Sequence, residues 1–457
     1  MTYKLKIFIL FQFFVIFFSL IIFIINNNIH LNIVDIYNSI INKKIHLGDL
    51  GFFYGELIQN YTNSNQFFLI LDDTKIFVGR PLFIAVFISF LLKITSLEFF
   101  IILIKNSIFF SIYFISVCEF FKQNNLKKYK FIFLLIAPFL VPYNLYQSFQ
   151  LIPEESYLIF LIPSIFLYII SESKNRIFLT LIFIITLYTK SPNIIIILSL
   201  SILLFTKYFE INARGLILIS LIVSTLLWGS YGYKKSQLFP FFHKSYTVNS
   251  FTGLQSHNIF FKYFYPEYTV DEIISYFDFF KQNPKNKSEK NYEKILSKEK
   301  SKFIKENFLE YLENKLIILN HLFFNIKKDG NVFTAECKKN FSTIILRMKS
   351  DNKIYVMNEN EKNLMNNCKK NNQNEIKINF IINKILWISS ICIALLNLTY
   401  TKKNIKISFL FIYINFFYLL PYIYGHVYTR HLIVLFMLSI IFLIINFDFK
   451  KPIRKKL

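Results

Sequence analysis

The chain has 457 residues, of which 54% are hydrophobic and 19% are aromatic. A soluble protein with 57 Phe residues would expose large apolar patches, so the composition excludes an ordinary soluble protein and indicates one embedded in lipid. The net charge of +24 does not indicate nucleic-acid binding, because the basic residues lie in short gaps between apolar runs, where membrane topology and anionic lipid account for them.

The apolar runs predict an all-α polytopic membrane protein. The first run, from Leu5 to Ile25, is long enough to cross a bilayer and lacks a small-residue cleavage site. We therefore interpret it as a retained span and not as a signal peptide. Further apolar stretches lie at about 81–95, 97–121, 130–149, 156–171, 176–190, 192–206, 214–229, 380–400, 407–424 and 431–447.

The Lys and Arg residues predict how these stretches are threaded, because cytoplasmic loops are rich in both. Basic gaps lie at 122–130, 174–176, 207–214, 402–406 and 450–456. All of them become cytoplasmic only if 81–95 does not cross, and about fifteen helical residues reach only about 22 Å of a core about 30 Å thick. We predict a re-entrant or juxtamembrane helix there and about ten transmembrane helices. A short true span, with the basic loops outside, is the alternative.

The predicted topology divides the chain into three parts. They are a transmembrane module at 1–229 with its first external loop at 27–80, a small external α-rich domain at 230–379, and the C-terminal transmembrane helices at 380–457. Cys337 and Cys368 lie in the external part, where they would form a disulfide or remain two free thiols.

The first candidate for chemistry is the segment 48–61, soon after the first span. Its helical periodicity places Asp49 and Glu56 on one face, about 10 Å apart. A carboxylate at the start of an interfacial helix is favoured in its ionised form by the helix dipole, as a general base requires. The alternative interpretation is an ordinary N-cap aspartate on an amphipathic helix.

The adjacent carboxylates of Glu154 and Glu155 lie in a short external turn. They are either plain solvated residues or ligands for a cation or a sugar hydroxyl. Lys105 lies well inside an apolar span, where a cation is costly and marks a functional candidate, here as a partner for phosphate or carboxylate. Lys190, at the external end of a helix, would join the same pocket.

Further candidates lie beside two other apolar stretches. Arg80 lies at the start of the predicted 81–95 helix, and His426, Arg430 and His431 precede the last span. An Arg at the membrane surface has forked donors suited to a phosphate, with an interfacial snorkelling Arg as the alternative. No P-loop, GxGxxG, HExxH or GxSxG motif is present, so cytosolic nucleotide-driven chemistry is not supported.

The order of these motifs resembles the membrane glycosyltransferases of the GT-C superfamily, including the protein O-mannosyltransferase and aminoarabinose-transferase types. Members have an essential Asp and an aromatic-rich juxtamembrane helix in the first external loop, a Pro-led apolar segment, a second acidic motif in the next external turn, and an Arg before a late apolar helix. The chain matches these features with Gly48-Asp49, Phe52-Phe53-Tyr54, Arg80-Pro81, Glu154-Glu155 and Tyr428-Thr429-Arg430-His431.

The resemblance implies transfer of a sugar from a polyprenyl-phosphate donor to a glycan, lipid or protein acceptor on the outer face of the bacterial cytoplasmic membrane. Asp49 would be the general base, and Glu154 and Glu155 would orient the acceptor or a divalent cation where one is used. Arg430, with Lys105 or Lys190, would hold the leaving phosphate. The remaining candidates for substrate binding are Glu56, Arg80, His426 and His431.

Two other functions stay open beside this one. A glycan polymerase or ligase would rely mainly on external Arg and His residues, and few Arg residues are predicted to be external. A non-enzymatic transporter of lipid or glycan predicts paired half-repeats and helices broken at the membrane midplane. Neither feature is evident in the sequence.

Overall fold

The computed structural model describes most of the predicted transmembrane module and the C-terminal helices. The described residues are 3–46, 51–71, 74–77, 82–124, 127–140, 149–151, 154–171, 175–190, 193–206, 214–237, 378–401, 404–424 and 432–446, with scattered positions between 290 and 323. Almost all of the predicted external domain at 230–379, including Cys337 and Cys368, lies outside them.

The described part of the chain is predominantly helical, as the apolar runs predicted. The helices of the N-terminal half are α1 (Tyr3–Asn26), α2 (Ile33–Asn42), α3 (Gly51–Ser64), α4 (Phe83–Ile94), α5 (Glu98–Asn124), α6 (Lys128–Ile136), α7 (Glu155–Ser171), α8 (Arg176–Thr189), α9 (Asn193–Leu203) and α10 (Arg214–Ser236). The C-terminal helices are α11 (Ile378–Leu396), α12 (Ile405–Tyr424) and α13 (Ile433–Asn446), with a π-helical turn at Asn397–Thr401 between the first two.

Helix α7 is the centre of the bundle. It packs against α5, α8, α12 and α13, and all but one of its residues are buried. A helix that is apolar on all sides can bury every face, and α7 is almost uninterrupted in Ile, Leu, Phe and Tyr. The two halves of the chain therefore share one core, which is also fastened by a hydrogen bond of 2.8 Å from Lys130 Nζ to the Ile445 carbonyl.

Two features of the N-terminal half differ from the predicted pattern. A two-stranded antiparallel hairpin, β1 (Leu69–Leu71) and β2 (Thr74–Ile76), lies in the first loop, so the protein is not helical throughout. The predicted continuous stretch at 130–149 contains α6, which ends at Ile136 and is followed by a short 3-10 helix. Pro138 has no N–H for the Leu134 carbonyl, which accepts hydrogen bonds from the Ala137 N–H and, at 2.6 Å, from the Tyr113 hydroxyl.

Helix α4 occupies the stretch predicted to be re-entrant or juxtamembrane. Its 12 residues extend about 18 Å, and its failure to cross the membrane stays a prediction. Its inner side, with Ile84, Ala85 and Ile88, is fully buried, and the helix packs against α3, α5 and α8. It is therefore held mainly by protein contacts.

Within the described residues, four helices are long and apolar enough to cross a membrane. They are Leu5–Ile25, Glu98–Asn124, Gly215–Ser236 and Ile381–Tyr400. Shorter apolar helices of 10–17 residues accompany them, namely α4, α7, α8, α9, α12 and α13. This composition is consistent with an integral membrane protein, and the count of about ten spans remains a prediction.

Candidate functional site

The acidic turn predicted from Glu154 and Glu155 lies at the first turn of α7 and is buried. Glu154 is 7% exposed and Glu155 is 0% exposed. Neither residue is therefore a solvated turn residue. A buried carboxylate is costly unless partners compensate its charge, so the partners of these two side chains determine what the turn can do.

Glu155 forms an ion pair with Lys190, the residue that directly follows α8. The Lys190 side chain is 11% exposed, and the Glu155 side chain is not exposed. Sequence reasoning had predicted that Lys190 would join the pocket of the two glutamates, and the fold brings it to Glu155 across 35 positions. The pair compensates one carboxylate of the turn.

Glu154 has a different partner, which comes from the first loop. The Tyr54 hydroxyl donates a hydrogen bond of 2.8 Å to Glu154 Oε1, and the Tyr54 side chain is 4% exposed. Tyr54 lies on α3, where Leu57 and Ile58 share its buried side. A phenol is a neutral donor, so this bond positions the carboxylate and leaves its charge in place.

Tyr54 is a site residue that sequence reasoning missed. The sequence places it only in the aromatic part of the GT-C pattern. The available signal was its spacing, because Tyr54, Leu57 and Ile58 follow the i, i+3, i+4 rule and so share a helix face. No local pattern identified its partner, which is 100 positions away.

Lys105 is fully buried on α5 and holds the segment that leads into α7. Its Nζ donates to the carbonyls of Gln150 at 2.8 Å and Ser156 at 3.0 Å. The same ammonium lies 4.9 Å from the ring centroid of Tyr157, a distance typical of a cation–π contact. Lys105 thus binds backbone carbonyls on either side of the two glutamates. The sequence had predicted a phosphate or carboxylate as its partner, not the backbone.

Asn106 supports the same segment and was also missed. Its Nδ2 donates to Ser19 Oγ on α1 at 2.9 Å and to the Phe149 carbonyl at 3.2 Å. The neighbouring side chains of Lys105 and Asn106 thus hold two consecutive carbonyls, those of Phe149 and Gln150. A Lys-Asn dipeptide inside an otherwise apolar run was the available signal.

The other predicted residues are placed as follows. Glu56 lies on α3, two residues beyond Tyr54, and is half-buried. Asp49, Arg80, His426, Arg430 and His431 lie outside the described residues, so their roles stay predictions. Among the residues that the structure describes, no group of three or more His, Cys, Asp or Glu side chains could hold a metal ion.

The site therefore combines side chains from four elements: Tyr54 from α3, Lys105 from α5, the glutamates at the start of α7, and Lys190 after α8. Its two neighbouring carboxylates are in unlike surroundings, one paired with an ammonium group and the other held by a phenol. Two adjacent carboxylates with different partners can serve different purposes in one site.

Comparison with known proteins found no relative of this chain. No protein-family model matches the chain, no curated protein matches it, and no solved structure matches it.

Proposed function

We propose that the protein is a membrane glycosyltransferase that moves a sugar from a polyprenyl-phosphate donor to an acceptor on the outer face of the cytoplasmic membrane. The observation that carries the proposal is the hydrogen bond from Tyr54 to Glu154. It joins the aromatic-rich helix α3, which follows Asp49 closely in sequence, to the acidic turn before α7. These are the two elements on which the resemblance to the GT-C superfamily depends.

In the proposed reaction, carboxylates of the protein act on the acceptor, and cationic side chains of the protein bind the phosphate of the donor. Asp49 accepts the proton of the acceptor hydroxyl, whose oxygen attacks the anomeric carbon of the sugar. The bond from that carbon to the phosphate oxygen breaks, and polyprenyl phosphate leaves with the electron pair. Positioning of the two substrates and stabilisation of the developing phosphate charge supply most of the rate enhancement.

The observed contacts sharpen the roles of the other residues. Glu154 is assigned to the acceptor or to a divalent cation, because its bond to Tyr54 ties it to the helix that follows Asp49. Glu155 is assigned to the ion pair with Lys190. Since Lys190 is engaged there, donor-phosphate binding is assigned first to Arg430, whose guanidinium offers a fork of donors.

The test is turnover of the purified protein in lipid nanodiscs with synthetic polyprenyl-phosphate sugars. Asp49→Asn should lower transfer by about 100- to 10,000-fold, the usual contribution of a general base, at unchanged abundance. Asp35→Asn is the matched control, because Asp35 is an exposed carboxylate on α2 in the same loop. Full activity of Asp49→Asn would remove the proposed base.

A transporter of lipid-linked glycans is the second candidate. The observation that favours it is the buried pair of Glu155 and Lys190, since ionisable groups buried at membrane depth often form ion or proton pathways. The same nanodisc preparation separates the two candidates. Formation of a new glycosidic bond supports the transferase, whereas movement of an unchanged labelled donor between leaflets of reconstituted vesicles supports the transporter.

A further inference from the structure

Helix α2 exposes one continuous apolar side. Ile33, Val34, Tyr37 and Ile41 are 85%, 60%, 61% and 40% exposed, and Leu31 just before the helix is 87% exposed. At 3.6 residues per turn, the four helical side chains fall within an arc of about 100°. Isolated exposed apolar residues are common on proteins, but a contiguous side of this kind marks an interaction surface.

The other two sides of α2 have different surroundings. Ile40 packs against the buried core, and the neighbouring Ile36 is half-buried, so this side faces the protein. Asp35, Asn38 and Asn42 form a third side, which is polar and exposed. The helix thus has one side that packs on the protein, one polar exposed side, and one apolar exposed side.

The position of α2 indicates what covers its apolar side. Six residues, 27–32, separate it from the end of α1, a candidate membrane span. The outer surface of α1 is itself apolar and exposed, with Phe13 at 64%, Phe17 at 56% and Ile25 at 53%. A helix that closely follows a candidate span and exposes an apolar side is placed, by chain connectivity, near the membrane surface.

We propose that α2 is an interfacial helix that lies in the headgroup region of the leaflet in which α1 ends, with Ile33, Val34, Tyr37 and Ile41 among the acyl chains. A helix with an apolar and a polar side and low overall hydrophobicity binds membranes in this orientation. Tyr is enriched at that depth, and the Lys43-Lys44 pair beyond the helix would contact lipid phosphates. The proposal is independent of the proposed function.

The backbone after α2 links this contact to the rest of the fold. Ile45 N donates to the Ser96 carbonyl and Glu98 N to the Lys43 carbonyl, both at 3.0 Å. These bonds fasten the end of α2 to the start of α5, the helix that carries Lys105. The position of α2 in the lipid is therefore coupled to the start of α5.

Spin labels at paired positions test the proposal in the full-length protein in nanodiscs. Single labels are placed by Tyr37→Cys and Asn38→Cys, with the four native cysteines changed to Ser. Collision with oxygen, which concentrates in lipid, is compared with collision with a water-soluble nickel chelate. The oxygen-to-nickel ratio should be several-fold higher at position 37 than at position 38.

Each alternative result contradicts the proposal. Equal exposure of both labels to the nickel chelate would mean that α2 stands clear of the bilayer. Shielding of the position-37 label from both reagents would mean that a second copy or another segment of this chain covers the apolar side. If either variant fails to purify as a monodisperse protein, Ile41→Cys and Asn42→Cys give the same comparison one turn later.

Discussion

The two ends of the described bundle bury their polar groups in different ways. At the start of α7 the buried contacts involve charges, with Glu155 paired to Lys190 and Lys105 donating to carbonyls. Among α11–α13 the bonds run between neutral groups. Trp387 Nε1 donates to Asn415 Oδ1 at 2.7 Å, and Asn397 Nδ2 donates to Ser408 Oγ at 3.1 Å.

The difference teaches where function is concentrated. Neutral hydrogen bonds between membrane helices are worth about 0.6 kcal/mol on average, and they serve packing. Buried lysines also reach this region, since Lys384 lies on α11 and Lys130 donates to the Ile445 carbonyl of α13. The region differs from the start of α7 in the neutral side-chain bonds described between its own helices. Buried charges are far more costly and are retained where a site needs them. The start of α7 is therefore the place to look for chemistry.

The largest effect is expected when the ion pair loses one partner. Glu155→Gln should lower the free energy of unfolding by about 3–5 kcal/mol, because the Lys190 charge is left buried without its carboxylate. Thermal unfolding in detergent measures the loss. The charge-free double variant Glu155→Gln/Lys190→Met should recover most of it. A double variant no more stable than Glu155→Gln alone would show that the pair is not the cause.

Loss of the buried ammonium of α5 is expected to have the next largest effect. Lys105→Met should destabilise the protein by about 3 kcal/mol, because the Gln150 and Ser156 carbonyls lose a charged donor. Lys93→Met is the control, since Lys93 lies exposed near the end of α4. Equal unfolding temperatures for the two variants would contradict a structural role for Lys105.

Removal of a single hydroxyl tests the link between the first loop and α7. Tyr54→Phe should cost about 2 kcal/mol, because the Glu154 carboxylate loses a buried hydrogen bond and the ring is kept. Tyr61→Phe is the matched control on the same helix, where the ring stacks on Phe67 at a centroid distance of 4.3 Å. Under the proposed function, Tyr54→Phe should also lower turnover more than Tyr61→Phe does. Equal turnover would separate this contact from the reaction.

The smallest effect is expected among the C-terminal helices. A double-mutant cycle of Trp387→Phe and Asn415→Leu should give a coupling energy of about 0.6 kcal/mol, the average for a neutral bond in membrane helices. Unfolding of the four proteins under identical conditions provides the measurement. A coupling as large as that of Glu155 with Lys190 would erase the contrast between the two regions.

The helices could be predicted because an apolar run of suitable length has few alternatives in lipid. The hairpin β1–β2 was not predicted, although a pair of Asp residues separates its strands. Strands of three residues are too short to show an alternating pattern within a polar loop. The break of α6 near Pro138 was also visible in the residue type. Its compensation by Tyr113 was not, because that contact depends on how α5 packs.

The candidate site was predictable in its residue types and not in its pairings. Lys105 stands out as a charge inside an apolar run, and Lys190 and the two glutamates stand out in the short turns between such runs. The assignment of Lys190 to Glu155 and of Tyr54 to Glu154 depends on the rotation of α3, α7 and α8 about their axes. A single sequence contains no measure of that rotation.

The central position of α7 has a consequence for how the protein is made. Its surroundings include α13, whose first residue, Ile433, follows the end of α7 by more than half the length of the chain. At the usual rate of synthesis, tens of seconds separate the two helices at the ribosome. Throughout that interval the side of α7 that α13 occupies in the fold lacks this neighbour, so the core is complete only after α13 has been made. A protein truncated before Ile433 would leave one side of α7 without its protein neighbour.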